Sequence, residues 1–345
     1  MAYQTPVLDP TIQKFVDHLL ASKGTPVYRL APKIARSHLE IAQGFSVHPS
    51  GVDENIVKIS AGGDDFNIAV VRPEDTQGPT PAILYFHGGG WVVGDRYTHA
   101  RLVWDIARAS GATVLFVEYG LSPEHKFPVA IDQAYAALEY VCAHSGDFGI
   151  DPNRIFVAGD SSGANLATVA CLLVDQRHGP TIMGQLLFYP TVSAAMDTAS
   201  YQEFAEGPWL TRRSMDWFWT QYLPESTDRT NPLVSPLCAS VNELRGFPPT
   251  LLITGECDVL RDEGEAYARK LMDAGVEVTM ARFGGAIHDF MMLNAIADSA
   301  PTRAAIALAG EFIRRVSGIE IPHPQEGHTP PKAREEVREG SNENT

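Results

Sequence analysis

Residues 159–163 read GDSSG, and they stand where one sequence pattern gives way to another. Upstream, Ile155-Phe156-Val157-Ala158 is a short unbroken apolar run. Downstream, Ala164-Asn165-Leu166-Ala167-Thr168-Val169-Ala170 has the small and apolar residues of a helix. A plain corner between strand and helix needs one Gly or Asn. Two serines between two glycines imply a tighter turn, with Ser161 at its apex. A helix over 163–177 would then aim its positive dipole end at that hydroxyl.

The alternation repeats along the chain. Ala82–Phe86, Thr113–Val117, Ile155–Ala158, Gln185–Tyr189, Thr250–Thr254 and Val276–Met280 are short, nearly continuous apolar runs. Helix-like segments at 98–109, 128–143, 163–177 and 262–274 separate most of them. Strands apolar on both faces and alternating with helices predict an α/β fold: a mostly parallel central sheet with helices on both sides. Asn55–Ser60 and Phe66–Val71 flank the turn Gly62-Gly63-Asp64-Asp65 and predict an antiparallel edge hairpin. Near the start, Asp9-Pro10 opens a helix with Ile12, Phe15, Val16, Leu19 and Leu20 on one face, a layer apart from the sheet.

One connection breaks this rhythm. From about Thr191 to Phe247 no strand pattern appears, and Trp209, Trp217, Phe218, Trp219 and Tyr222 crowd together. A loop that long in a compact domain is usually a lid or an insert, and a helix covering the domain would use those aromatics for packing and pocket alike. The expected organisation is N-terminal cap helices over 1–50, a catalytic domain over 51–318 with a cap insert at about 191–247, and a disordered tail over 319–345. That tail is polar and Pro-rich and ends in KAREEVREGSNENT.

Composition narrows the function classes. The 345-residue chain is 44% hydrophobic and 20% charged, the balance of a globular protein with a large core. Its formal charge of −15 argues against nucleic acid and anionic membrane surfaces as partners. Cys142, Cys171, Cys238 and Cys257 are scattered without a C-x-x-C pair, so neither a disulfide framework nor a zinc site is expected. No secretory signal and no run approaching the roughly 20 apolar residues of a membrane span is visible. The expected compartment is the cytoplasm.

In an open parallel sheet, function gathers at the carboxyl ends of the strands. Four stretches fall there. GDSSG fits G-x-S-x-G, the strand-to-helix turn that lifts a serine above the sheet; an incidental Gly-Ser turn is the alternative, and the strand–turn–helix context disfavours it. HGGGW, His87 to Trp91, follows the 82–86 strand. Three glycines remove every Cβ, so their N–H groups can meet a developing oxyanion, where one donor is worth ~3–4 kcal/mol. GECDVLRDEG, 255–264, offers Glu256, Asp258, Asp262 and Glu263: one acid placed to orient an imidazole, the others helix-start charges that suit the dipole. GAIHDF, 285–290, carries His288 on a late strand-end loop, and the order Ser, acid, His is the hydrolase order.

These motifs together resemble the hormone-sensitive-lipase-like carboxylesterases, bacterial family IV of the α/β-hydrolase superfamily. The likeness runs from about residue 80 to 316 and rests on HGGGW (87–91), SPEHKFP (122–128), GDSSG (159–163), DVLRDEG (258–264) and IHDF (287–290), in the family's order. It implies Ser161 as nucleophile, His288 as general base and acid, and Asp258, at the family's D-x-L motif, as the orienting acid in preference to Glu256. It implies an oxyanion hole from Gly89 and Gly90, with Gly88 as an alternate, plus Ser162. Two departures stand out. Tyr119-Gly120-Leu121-Ser122-Pro123-Glu124 replaces the frequent Y-R-L-A-P-E, losing an arginine and any salt bridge it makes. Asp289 follows the histidine where glycine is commoner; of tuning the imidazole or facing water, the second is expected.

The implied reaction is acyl transfer on a small-molecule ester, short acyl chains favoured, with no metal or organic cofactor; neither H-E-x-x-H nor a P-loop pattern occurs. The same three residues would also serve an amide, thioester or lactone hydrolase, or a deacetylase of a natural-product intermediate. A non-catalytic small-molecule receptor on this fold would be expected to have lost part of the triad. Dimerisation through an outer strand or helix has no residue here to support it.

Overall fold

All seven residues of Thr80–Phe86 (β3) are buried, which only a strand covered on both faces achieves. In the computed structural model, which describes residues 7–44, 50–74 and 76–319, β3 lies inside an eight-stranded sheet. The other strands are Val52–Ala61 (β1), Asp64–Pro73 (β2), Thr113–Glu118 (β4), Ile150–Asp160 (β5), Gly184–Phe188 (β6), Thr250–Cys257 (β7) and Val278–Ile287 (β8). Their order is β1-β2-β4-β3-β5-β6-β7-β8. Pairing is antiparallel at β1–β2 and β2–β4 and parallel from β4 onward. The expected edge hairpin is therefore present, and β2 alone runs against the rest. Its turn is shorter than expected: Ala61 pairs with Asp64, leaving Gly62 and Gly63, both at positive φ, as the loop.

Arg96–Ser110 (α3), Val129–Ala143 (α4), Ser162–Arg177 (α5) and Arg261–Asp273 (α8) occupy the helix-like segments of the sequence. Local chemistry sets their ends. Asp95 accepts the Thr98 N–H while Thr98 accepts the Asp95 N–H, a capping box that starts α3, and Gly111 in left-handed conformation ends it. Pro10–Ser22 (α1) starts as the sequence predicts, with the Asp9 carboxylate on the Thr11 and Ile12 amides. Pro32–Gln43 (α2) lies in the N-terminal segment and Ala300–Ser317 (α9), with Ala305, Ala309, Phe312 and Ile313 buried on one face, follows β8. β8 begins at Val278 and continues to Ile287, later than the apolar run at Val276 implies.

The long insert holds Ala199–Glu203 (α6) and Arg212–Tyr222 (α7). Met215, Phe218, Trp219 and Tyr222 of α7 are buried, so most of the aromatic cluster packs inward. The N-terminal segment meets it: the Phe15 ring of α1 lies 5.6 Å from Trp209. Of the C-terminal stretch expected to be disordered, residues 320–345 lie outside those described.

Register brings distant residues together. Phe86 at the end of β3 pairs with Gly159 in β5, so HGGGW and GDSSG leave adjacent strands at one level. Cys257 in β7 pairs with Ile287 in β8, so Asp258 and His288 do the same.

Candidate active site

Ser161 stands between β5 and α5 at φ 52°, ψ −118°, a conformation L-residues adopt only under restraint. The restraint is visible on both sides. The Ser161 N–H donates to the Phe188 carbonyl at 2.9 Å, and its carbonyl accepts from the Thr191 N–H at 3.2 Å. A Cβ on Gly159 would lie 2.4 Å from the backbone of Gly163, and one on Gly163 would lie 1.9 Å from the Phe86 carbonyl oxygen. The two glycines are there because α5 crosses the strand ends at backbone contact.

His288, directly after β8, reaches both neighbours. Its Nε2 lies 3.0 Å from the Ser161 Oγ and its Nδ1 lies 2.7 Å from the Asp258 Oδ2. The other Asp258 oxygen accepts the Leu260 N–H at 2.9 Å. All three side chains are buried. Burial alone would lower the imidazole's pKa, but the charges of Asp258 and Asp289 outweigh it and raise it to about 9. A hydroxyl, imidazole and carboxylate joined this way can pass a proton from oxygen to nitrogen and stabilise the resulting cation.

The other three acids of that stretch sit elsewhere. Glu256 accepts the Gly285 N–H at 2.7 Å. Asp262 accepts the Ser200 N–H at 2.8 Å. Glu263 accepts the Val192 and Ser193 amides at 2.8 and 3.2 Å, while its second oxygen has no hydrogen-bond partner. Asp262 and Glu263 do lie in the first turn of α8, as expected of helix-start charges, yet they also fasten α8 to the start of the insert. Burial raises the Glu263 carboxyl to about 8, the two amides only partly opposing it.

The HGGGW loop lies over the elbow. The Gly88 N–H, expected as an alternate oxyanion donor, is engaged with the Asp160 carboxylate at 3.0 Å and is not free to turn to a substrate. The Gly89 and Gly90 amides have no partner among the described residues. Ser162 opens α5, where an N–H has no intrahelical acceptor. Gly89 and Gly90 both have positive φ, and a Cβ on Gly90 would enter the Phe218 ring at 2.2 Å. The insert thus packs directly on the loop.

Several contributors were not found from sequence. Asp160 joins the two loops from below, accepting the Tyr85 hydroxyl at 2.7 Å and facing His99 Nε2 at 3.3 Å. Burial pushes its carboxyl up, and the His99 charge pulls it below the ordinary value. His87 stacks on Tyr119, 4.4 Å between rings, and burial and His99 lower it to about 4, so it stays neutral. Arg36 of α2 answers the arginine missing at position 120: it forks onto Glu124 at 2.6 and 3.0 Å and donates to the Val92 and Ser122 carbonyls. Gly120 has no room for a side chain, since a Cβ would meet the His125 ring at 2.8 Å. Asp289 does not face water. It is largely buried, accepts the Trp209 indole N–H at 2.9 Å and lies 3.3 Å from the His288 Nε2. Only its place beside His288 signalled this; which way it turned depended on the insert.

A separate group of residues, Tyr28, Met196, Arg212, Arg213, Asp216, Trp217 and Thr220, lines a cleft of about 500 Å³. Its walls come from the N-terminal segment and the insert. Among the described residues no helix is long and apolar enough to cross a membrane.

Residues 83–292 match a family described by the alpha/beta hydrolase fold. A mimivirus protein named as an alpha/beta hydrolase, from Acanthamoeba polyphaga mimivirus, is 41% identical over 90% of this chain and 88% of its own. An ethyl acetate hydrolase of Pseudomonas putida is 35% identical over 81% of this chain and 89% of its own. A thermostable esterase from Pseudomonas putida ECU1011 superposes with a TM-score of 0.89 at 42% identity, covering 92% of this chain and all 100% of that one. The chain belongs to the α/β-hydrolase-fold family, in its hormone-sensitive-lipase-like branch.

Proposed function

We propose that Ser161 attacks the carbonyl of a short-chain ester and that His288 and Asp258 drive the attack. The protein is a carboxylic ester hydrolase. The observation that carries the assignment of roles is the unbroken chain Ser161 Oγ, His288 Nε2, His288 Nδ1, Asp258 Oδ2, at 3.0 and 2.7 Å, beside uncommitted glycine amides.

His288 takes the Ser161 proton on Nε2 as the Oγ–carbon bond forms. The Gly89, Gly90 and Ser162 N–H groups receive the oxyanion. His288 then returns the proton to the departing alcohol oxygen, and water repeats the sequence on the acyl-enzyme. The N-terminal helices and the insert form the cap that bounds the acyl and alcohol sites. Phe218 against Gly90 supports a short acyl chain, as does the likeness to an ethyl acetate hydrolase. Four unpaired cysteines support a reducing, cytoplasmic compartment.

The test is hydrolysis of p-nitrophenyl esters of increasing acyl length, with Ser161→Ala alongside. Activity is expected to be highest on acetate to butyrate and to vanish in the variant, whose fold a thermal melt checks. A fluorophosphonate should add its mass to the Ser161 peptide. Turnover retained by Ser161→Ala, or label on another residue, overturns the assignment; a preference for long chains overturns the substrate class alone.

A further inference from the structure

We propose that Asp289 is a second carboxylate partner of His288, one that acts at Nε2 and holds the imidazolium formed when the Ser161 proton moves. The inference rests on the roles proposed for Ser161 and His288, and it deepens them.

The geometry at Nε2 carries it. The two imidazole nitrogens are both served by acids: Nδ1 by Asp258 Oδ2 at 2.7 Å, Nε2 by Asp289 Oδ1 at 3.3 Å. In the neutral imidazole that acts as base, Nε2 presents its lone pair to the Ser161 hydroxyl. Asp289 Oδ1 is buried beside it with no hydrogen-bond partner. An unpartnered buried acceptor is costly. Once the proton has crossed from Ser161 Oγ to Nε2, the imidazolium charge stands 3.3 Å from that oxygen, and the attraction offsets the cost. An interaction absent in the ground state and present after proton transfer accelerates the chemical step. Burial pushes the Asp289 carboxyl above its ordinary value and the His288 charge opposes it; as a carboxylate it neither gains nor gives up the proton, which goes on to the leaving alcohol oxygen.

The surroundings hold Asp289 in that place. Its backbone sits at φ 61°, a left-handed value that aspartate tolerates better than most residues. Its Oδ2 accepts the Trp209 indole N–H from the insert, and Trp209 in turn packs on Phe15 of α1. The turn that follows is pinned by the Arg101 guanidinium of α3 on the Met291 and Met292 carbonyls. The ionisable groups facing His288 are Asp258 from the β7 end, Asp289 beside it, Tyr189 edge-on from the β6 end, with rings 5.0 Å apart, and Asp160 from the elbow. Those facing Asp289 are His288, Asp160, Asp258, His99, Tyr85 and Tyr189. Asp289 is thus a positioning residue that ties the cap to the imidazole.

A purely structural role, holding Trp209, makes a different prediction. Asp289→Asn keeps an oxygen for the indole and suits the left-handed backbone; it removes only the charge. The pH profile of kcat/KM on p-nitrophenyl acetate is the readout. In Asp289→Asn the acid limb should move to lower pH by about one unit or more, because the imidazolium has lost a neighbouring anion. Plateau kcat should fall about tenfold, the equivalent of one such unit, with KM little changed. Asp289→Gly, which also fits the backbone, should show the same displaced limb if the Asn variant folds poorly. Titration of the His288 ring by NMR, without substrate, should move in parallel. An acid limb and ring titration left at the wild-type position in both variants overturns the proposal. That failure differs from failure of the parent reading, in which Ser161→Ala would keep its activity.

Discussion

In Asp258→Asn the new amide has one arrangement available to it. The native Oδ1 accepts the Leu260 N–H at 2.9 Å, and Oδ2 accepts the His288 Nδ1–H at 2.7 Å. Asparagine has a single acceptor oxygen. The backbone N–H of Leu260 cannot change its role, so the oxygen settles there and the NH₂ faces His288. The imidazole must then offer Nδ1 as acceptor and carry its proton on Nε2, where it cannot receive the proton of Ser161. Loss of the right tautomer together with the lost charge should lower kcat/KM by roughly 10³–10⁴, which is about 4–5 kcal/mol of barrier. Glu256→Gln is the control: Glu256 serves the Gly285 amide, not the imidazole, and should cost less than about tenfold. Steady-state kinetics on p-nitrophenyl acetate, with melts to show both variants folded, decide the matter. Equal losses, or an Asp258→Asn enzyme within tenfold of wild type, would refute the tautomer argument.

Two further changes probe the framework. Gly163→Ala would drive a Cβ to 1.9 Å from the Phe86 carbonyl oxygen and 2.6 Å from that of His87, backbone atoms at the end of β3 and the start of HGGGW. That strand end must retreat by on the order of 1 Å, which should lower kcat about 100-fold and stability by about 1–3 kcal/mol; near-normal kcat would show that the loop does not depend on this contact. Glu263→Gln tests the buried acid. Its pKa rises from 4.5 unfolded to about 8 folded, so between those values the folded state binds the extra proton and stability falls as pH rises. The neutral variant loses this slope. It should match wild type in denaturant melts at pH 5 and exceed it at pH 9 by on the order of a few kcal/mol; parallel pH dependence of the two proteins would argue that Glu263 is ionised in the fold.

The parallel sheet and the serine turn were legible because each depends on local pattern. Strands apolar on both faces, such as Ala82–Phe86, can only be interior. GDSSG announces itself because backbone contact between α5 and β3 leaves no room for a Cβ at Gly159 and Gly163, and HGGGW because Asp160, Val93 and Phe218 fill the space at its three glycines. What the chain's order left open was which groups meet. Asp258 and Glu256 lie two residues apart at the end of one strand, and β7–β8 register with side-chain direction decides which touches His288. Gly88 belongs to the same glycine run as Gly89, yet a carboxylate from the next strand, Asp160, takes its amide. Asp289 turned inward because an indole 80 residues away waits for it, and Arg36 found Glu124 across 88 residues. Local sequence determines the elements and where backbone must be bare. Long-range packing determines the partners of each polar side chain, because burial leaves a charge unable to face water and forces it onto whatever donor the fold brings near.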